Sequence, residues 1–207
     1  MLENITSIIF DFGGVILNLN EQRTYSALMQ LLQCNAHDLS RSVAQNNVFR
    51  NYECGLISSD EFVAYIQSLA PHYISAQQIT DAWNAMLLDF PPAHVELLLR
   101  LKMQYRTFLL SNTNDLHEKA FVQNMKNQGI KHSIHDLFET VWYSHHLHLN
   151  KPHVEIFETV IAQAGLNPEH TLFLDDKEEN LVGARKAGLR TQLIDKETSI
   201  LKIFKNH

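Results

Sequence analysis

Short apolar runs punctuate the chain at wide intervals: Ile8-Ile9-Phe10, Phe108-Leu109-Leu110, Val141-Trp142-Tyr143, Leu172-Phe173-Leu174 and Leu193-Ile194. None alternates with polar residues as a half-exposed strand would, which predicts strands covered on both faces of a parallel sheet. Helical periodicity fills the later gaps. Val154, Phe157, Val160, Ile161 and Ala164 recur at the 3.6-residue period and stop at Gly165, and residues 115–128 stop in the same way at Gly129. Strand and helix in alternation predict an α/β fold.

The first connection breaks the alternation. About 95 residues separate Asp11 from the next strand, several times the ~30 of a simple strand–helix–strand unit. The intervening chain carries its own helical patterns. Tyr25, Leu28, Met29 and Leu32 form one stripe. Ser58 with Glu61 spells a capping box ahead of Phe62, Val63, Ile66 and Leu69. Ser75 with Gln78 spells another ahead of Ile79, Ala82, Trp83, Met86 and Leu87. Residues 38–50 predict a weaker helix. The expectation is a helical bundle over residues 18–88, inserted into a core made of residues 1–17 and 89–207, with Pro91-Pro92 marking the return.

Composition narrows the class. The chain has 207 residues, 45% of them hydrophobic, enough for a substantial packed core. Lys and Arg total 17 against 23 Asp and Glu, a net charge of −6 that argues against nonspecific binding to nucleic acid or an anionic membrane. No apolar stretch approaches the ~18 residues of a membrane span, and no basic, apolar leader precedes Asp11, so the expected location is cytoplasmic. Cys34 and Cys54 make no disulfide framework or metal spacing, in keeping with a reducing compartment. Only seven glycines occur, at 13, 14, 55, 129, 165, 183 and 188.

Candidate chemistry lies where the apolar runs end. Phe10 gives way to Asp11, Leu110 to Ser111-Asn112, and Leu174 to Asp175-Asp176, while Lys151-Pro152 follows the run ending at Tyr143. In open α/β sheets such carboxyl-terminal strand ends share one crevice. A carboxylate, a hydroxyl, a lysine and an acidic pair suit attack by Asp11 on a phosphoryl group. The nucleophile and the phosphate are both anionic, so a divalent cation must bridge them, and an all-oxygen carboxylate set suits Mg²⁺. Asp11 is then nucleophile and metal ligand. Asp176, assisted by Asp175, holds the metal. Ser111 and the Asn112 amide bind phosphate oxygens, and Lys151 neutralises charge in the transition state.

Asp11-Phe12-Gly13-Gly14-Val15, Ser111-Asn112-Thr113-Asn114, Lys151-Pro152 and Asp175-Asp176-Lys177-Glu178-Glu179-Asn180 together resemble the four motifs of the haloacid-dehalogenase-like (HAD) hydrolases. Gly183-Ala184-Arg185-Lys186-Ala187-Gly188 resembles the stretch that commonly follows the fourth motif. The inserted bundle is similar to that superfamily's C1 cap. The resemblance implies a Rossmann-like three-layer core and phosphate-monoester hydrolysis through an aspartyl-phosphate. It also implies the Gly13 carbonyl oxygen as a metal ligand and a phosphate-side set of Gly13, Gly14, Ser111, Asn112, Asn114 and Lys151. Tyr52 and Glu53, just before Gly55, fall where such caps present a substrate-specificity loop. The implied partner is a small phosphorylated metabolite, acted on by a monomer or a homodimer.

The pattern departs from the family at two places. The phosphatases usually carry an aspartate two residues after the nucleophile as general acid and base, and here that position is Gly13. A branch resembling glucose-1-phosphatases and the N-terminal domains of epoxide hydrolases tolerates variation there. Either the substrate has an acidic leaving group, such as the anomeric hydroxyl of a sugar 1-phosphate, or the cap supplies the proton. The second departure is His145, His146, His148 and His153 around Lys151, expected to form a polar loop lining the crevice rather than a zinc site. Two other functions use the same scaffold: metal-free dehalogenation of a 2-haloacid, and binding of a phosphometabolite with weak catalysis. A two-component receiver domain shares the residue types but has its acidic pair first and its phospho-accepting aspartate later.

Overall fold

The computed structural model describes residues 2–45 and 47–205. Five strands, β1 (Ser7–Phe10), β2 (Arg106–Ser111), β3 (Thr140–Tyr143), β4 (Thr171–Asp175) and β5 (Arg190–Leu193), form one parallel sheet in the order β3-β2-β1-β4-β5. The apolar runs are the strands, and their lack of alternation has the expected cause. Ile8, Phe10, Leu109, Leu172 and Leu174 face one apolar layer, while Ile9, Phe108, Leu110 and Phe173 face another. On the first face pack α6 (Pro92–Leu101), α7 (Asp115–Asn127), α8 (Ile134–Leu137) and α12 (Ile200–Ile203), through residues such as Leu98, Phe121, Leu137 and Ile200. On the second pack α10 (Val154–Ala164) and α11 (Glu178–Lys186), through Phe157, Val160, Leu181 and Ala184. The result is a three-layer α/β core of Rossmann-like form. Among the described residues no helix is long and apolar enough to cross a membrane.

Between β1 and α6 lie α1 (Glu21–Leu32), α2 (Ala36–Gln45), α3 (Val48–Glu53), α4 (Ser59–Ser68) and α5 (Ala76–Asn84). They bury a third cluster of their own, centred on Leu28, Phe62, Ile66, Ile79 and Trp83. Both anticipated capping boxes are formed, Ser58 with Glu61 and Ser75 with Gln78, each satisfying two otherwise orphaned backbone donors. The single weak helix expected over 38–50 is instead two helices, with Asn47 in the left-handed region at φ 50° ahead of α3. The two chain crossings between these helices and the sheet run side by side. The Asn18 amide donates to Asp89 O and the Leu88 amide to Asn18 O, both at 3.0 Å.

Candidate active site

Four loops at the carboxyl ends of β1, β2, β3 and β4 converge on Lys151, which follows the short helix α9 (Ser144–Leu147). Its ammonium is almost fully buried. It donates to Asp11 Oδ1 at 2.6 Å, Asp175 Oδ2 at 2.8 Å and Leu110 O at 3.0 Å. The Asn112 side chain clasps the backbone of the same lysine, accepting from Lys151 N and donating to Lys151 O, each at 2.9 Å. Behind it, a Cβ at Gly183 would overlap Pro152 O, so only glycine lets α11 lie against this loop. The lysine is thus fixed from all sides, as a group meant to act without rearrangement must be.

Asp175 is fully buried, with both oxygens engaged: Oδ1 accepts from the Lys177 amide at 2.8 Å and Asn180 Nδ2 at 2.9 Å, and Oδ2 from Lys151 and from Asn180 at 3.0 Å. The two acids expected at the metal thus differ in their surroundings. Asp175 holds Lys151, whereas Asp176 turns to the open side. One carboxylate oxygen from each of Asp11, Asp175 and Asp176 lies within 4.8 Å of the others. Gly14, at φ 77°, brings the backbone so close that a Cβ there would overlap Asp176 Oδ2. Burial raises the Asp11 carboxyl to about 7; Lys151 lowers it, while Asp175 and Asp176 raise it. Burial also raises Asp176, with Asp175 adding to the effect. Burial would lower the Lys151 pKa, but its two carboxylates outweigh that and raise it, so the lysine is a permanent cation.

A cavity of about 750 Å³ opens above this cluster. Asp11, Gly13, Gly14, Ser111, Asn112, Lys151 and Asp176 form its floor, and Glu53 is in its wall, as the sequence led one to expect. Three expected members are absent from the lining: Asp175, held as described, Asn114 and Tyr52. Asn114 is the N-cap of α7, accepting from the His117 amide at 3.0 Å and from Trp83 Nε1 at 3.2 Å. Tyr52 is 2% exposed and stacks on Phe62; its hydroxyl accepts from the Leu116 amide at 3.1 Å and pairs with Ser59 Oγ at 2.9 Å. Consecutive residues near a helix end point different ways, so Tyr52 enters the helical core and Glu53 enters the cavity.

The histidines are likewise not crevice lining. His145 Nε2 donates to Glu118 Oε2 at 3.0 Å, with His146 Nε2 3.6 Å from the same oxygen, and the buried His145 Nδ1 has no hydrogen-bond partner among the described residues. His148 Nδ1 donates to Cys54 O at 2.9 Å, and His153 Nε2 accepts from Arg50 at 3.1 Å. His148 and His153 thus join α3 and the residue just after it to the sheet side of the molecule, while His145 and His146 join α9 to α7. Gly55, at φ 63°, sits in that seam, where a Cβ would overlap His145 O.

Sequence reasoning missed three participants. Lys177 and Asn180 were visible inside the fourth motif, but only the fold shows that one lines the cavity and the other orients Asp175. His117 carried no signal at all. Buried in the cavity wall, it donates from Nε2 to Trp83 O at 3.1 Å and accepts at Nδ1 from Asn114 Nδ2 at 3.1 Å. Burial lowers its pKa to about 4. An unfolded histidine, near 6.5, takes up its proton first on acidification. His117 therefore stabilises the fold fully above about pH 6.5, and that contribution is lost as pH falls toward 4. Thermal melts from pH 7 to pH 4.5 should show a steeper loss of Tm for wild type than for His117→Gln; parallel slopes would refute the assignment.

The chain matches the family model for haloacid dehalogenase-like hydrolase over residues 8–194. Among curated proteins it is similar to a D-ribitol-5-phosphate phosphatase of Bacteroides thetaiotaomicron, 28% identical over 188 residues that cover 90% of each chain. It is also similar to a sesquiterpene phosphatase of Aspergillus oryzae, 27% identical over 91% of this chain and 89% of that one. Among solved structures, a HAD family enzyme of Bacteroides thetaiotaomicron in complex with magnesium and inorganic phosphate superposes with a TM-score of 0.87, at 32% identity over 97% of this chain and 99% of that one. With the matched span running from β1 to the end of β5, this chain belongs to the haloacid dehalogenase-like hydrolase family.

Proposed function

We propose that the protein is a Mg²⁺-dependent phosphatase of small phosphorylated metabolites, phosphorylated polyols or sugars among them. The observation that carries this reading is the buried Asp11–Lys151–Asp175 cluster, with Asp176, Ser111 and the Asn112 amide beside it on one cavity floor. The donor set fits the ion: carboxylate oxygens of Asp11 and Asp176 with the Gly13 carbonyl are hard ligands, and the oxygen-lined floor leaves room for water. Bound there, Mg²⁺ supplies charge compensation between the phosphate and the carboxylates.

The residues divide the work as follows. Asp11 attacks phosphorus in line with the departing alcohol, giving an aspartyl-phosphate. Lys151, held at 2.6 Å from the nucleophile, offsets charge as it passes to the transferring group. The Ser111 hydroxyl and the Asn112 N–H hold the phosphate oxygens, with Gly13 and Gly14 allowing close backbone approach. Water then attacks the aspartyl-phosphate and frees Asp11. Residues 18–88 act as a cap over a core of residues 1–17 and 89–207, and Glu53 contacts the substrate from the cap side. Arg50, Glu53, Glu21 and Lys177 on the wall suit a polar, hydroxyl-bearing substrate, in keeping with the polyol phosphate named for the Bacteroides relative.

A panel of phosphorylated polyols, sugars and aryl phosphates tests this, with Mg²⁺ or with EDTA. Phosphate release that EDTA removes and Mg²⁺ restores is the expected result. Halide release from a 2-haloacid that survives EDTA would overturn it.

A further inference from the structure

The missing family acid at position 13 has a structural counterpart. A Cβ on Gly13 would overlap Leu19 Cδ1 and lie 3.3 Å from Leu19 Cγ, so a leucine occupies the space an aspartate would enter. The cavity must find its proton donor elsewhere, and five acids line it: Asp11, Glu21, Glu53, Asp176 and Glu179. Asp11 and Asp176 belong to the floor cluster. Glu21 is paired with Lys177 at 3.0 Å, and Glu179 is exposed to solvent. Glu53 is half-buried, and its carboxyl makes no hydrogen bond or ion pair among the described residues. Lys177 lies within electrostatic range of both Glu53 and Asp11, which puts the two acids about one cation.

The position is also held by many contacts. From Arg50 to Gly55, every residue but Asn51 is fastened to the sheet side. The contacts are Arg50 to His153 at 3.1 Å, the Tyr52 hydroxyl to the Leu116 amide at 3.1 Å, Glu53 O to Ser144 Oγ at 2.6 Å, Cys54 O to His148 at 2.9 Å, and Gly55 against His145 O. All five join positions about 60 to 100 residues apart in sequence, so the Glu53 backbone is held in place before substrate binds. Burial raises the Glu53 carboxyl; Lys177 lowers it and Glu21 raises it, which favours a neutral, proton-bearing acid.

We propose that Glu53 is the general acid and base of this enzyme, in place of the family aspartate two residues after the nucleophile. As the Asp11 oxygen bonds to phosphorus and the ester P–O bond breaks, the Glu53 carboxyl gives its proton to the departing alkoxide. In the second step the Glu53 carboxylate takes a proton from water. The hydroxide bonds to phosphorus, the P–O bond to Asp11 breaks, and inorganic phosphate leaves with both carboxyls restored. This rests on the reading of Asp11 as nucleophile.

The test compares wild type, Glu53→Gln and Glu53→Asp on ribitol 5-phosphate and p-nitrophenyl phosphate with Mg²⁺. Loss of the acid should lower kcat/KM for the alkyl ester by about 10²–10⁴-fold. The aryl ester, whose leaving group needs no proton, should change by less than about tenfold. Loss of the base should make dephosphorylation rate-limiting, so that Glu53→Gln gives a stoichiometric nitrophenolate burst. Glu53→Asp should recover part of the alkyl activity. Equal losses on both esters, a rise in KM alone, or no change would overturn the proposal. Failure of wild type on both esters, or full activity of Asp11→Asn, would instead strike the phosphatase reading itself.

Discussion

Lys151→Met should abolish turnover and lower stability by about 3–5 kcal/mol, the usual consequence of removing one partner from a buried ion pair. Methionine fills a similar volume, so the loss reports charge rather than a cavity. Asp11 and Asp175 would lose the cation that lies 2.6 and 2.8 Å from them, and Leu110 O would lose its donor. The deficit has a predicted pH dependence. Burial already raises the Asp11 carboxyl and Lys151 lowers it, so without the lysine its folded pKa rises further above the unfolded value near 3.9. In the wild type the folded carboxyl is already raised to about 7, so up to that pH both proteins lose stability alike and Asp11 adds nothing to the deficit. Above about pH 7 the wild-type carboxyl ionises beside its lysine while the variant's stays protonated, so the deficit grows with pH. Urea unfolding in EDTA at about pH 6 and 8.5 checks this; a deficit that stays constant would contradict the assignment.

Asp11→Asn should behave in the opposite way on stability while matching the loss of activity. The substitution keeps the shape and removes the nucleophile, and a fall of at least about 10⁴-fold in kcat is expected by analogy with removal of other covalent nucleophiles. Because burial opposes ionisation at this position, a neutral amide is tolerated, and Tm should stay constant or rise. Asp175 still pairs with Lys151. Acid-quenched protein should carry phosphate after wild-type turnover and none in the variant. A variant that retains a tenth of the activity would exclude Asp11 as nucleophile.

The contrast between what could and could not be read from the chain follows sequence distance. Asp11, Ser111 and Asp176 were legible as neighbours because each sits at the end of a buried strand, and parallel strands bring their ends to one edge whatever the side-chain detail; Lys151 follows β3 and α9 and was legible only through the Lys-Pro motif. The capping boxes were legible because both partners are three residues apart. Tyr52 and Asn114 were misassigned for a local reason: motif position says that a residue is near the site, not which way it faces. The histidines misled for a nonlocal one. His145, His148 and His153 are neighbours in sequence, but Glu118 comes from α7 of the core and Cys54 and Arg50 from α3 and its end, so the last two depend on how the inserted helices dock. His117 was invisible because an isolated polar residue on an amphipathic helix has no pattern of its own.

The contact between Gly13 and Leu19 makes these two positions interdependent in descent. An aspartate arriving at 13 meets the end of the Leu19 side chain, which must swing aside, while a smaller residue arriving at 19 widens the cavity that Leu19 lines. The two changes together make room for an acid more readily than the first alone. The six-residue spacing between 13 and 19 is therefore a place where sequences of this kind should vary together, small with large and acidic with small.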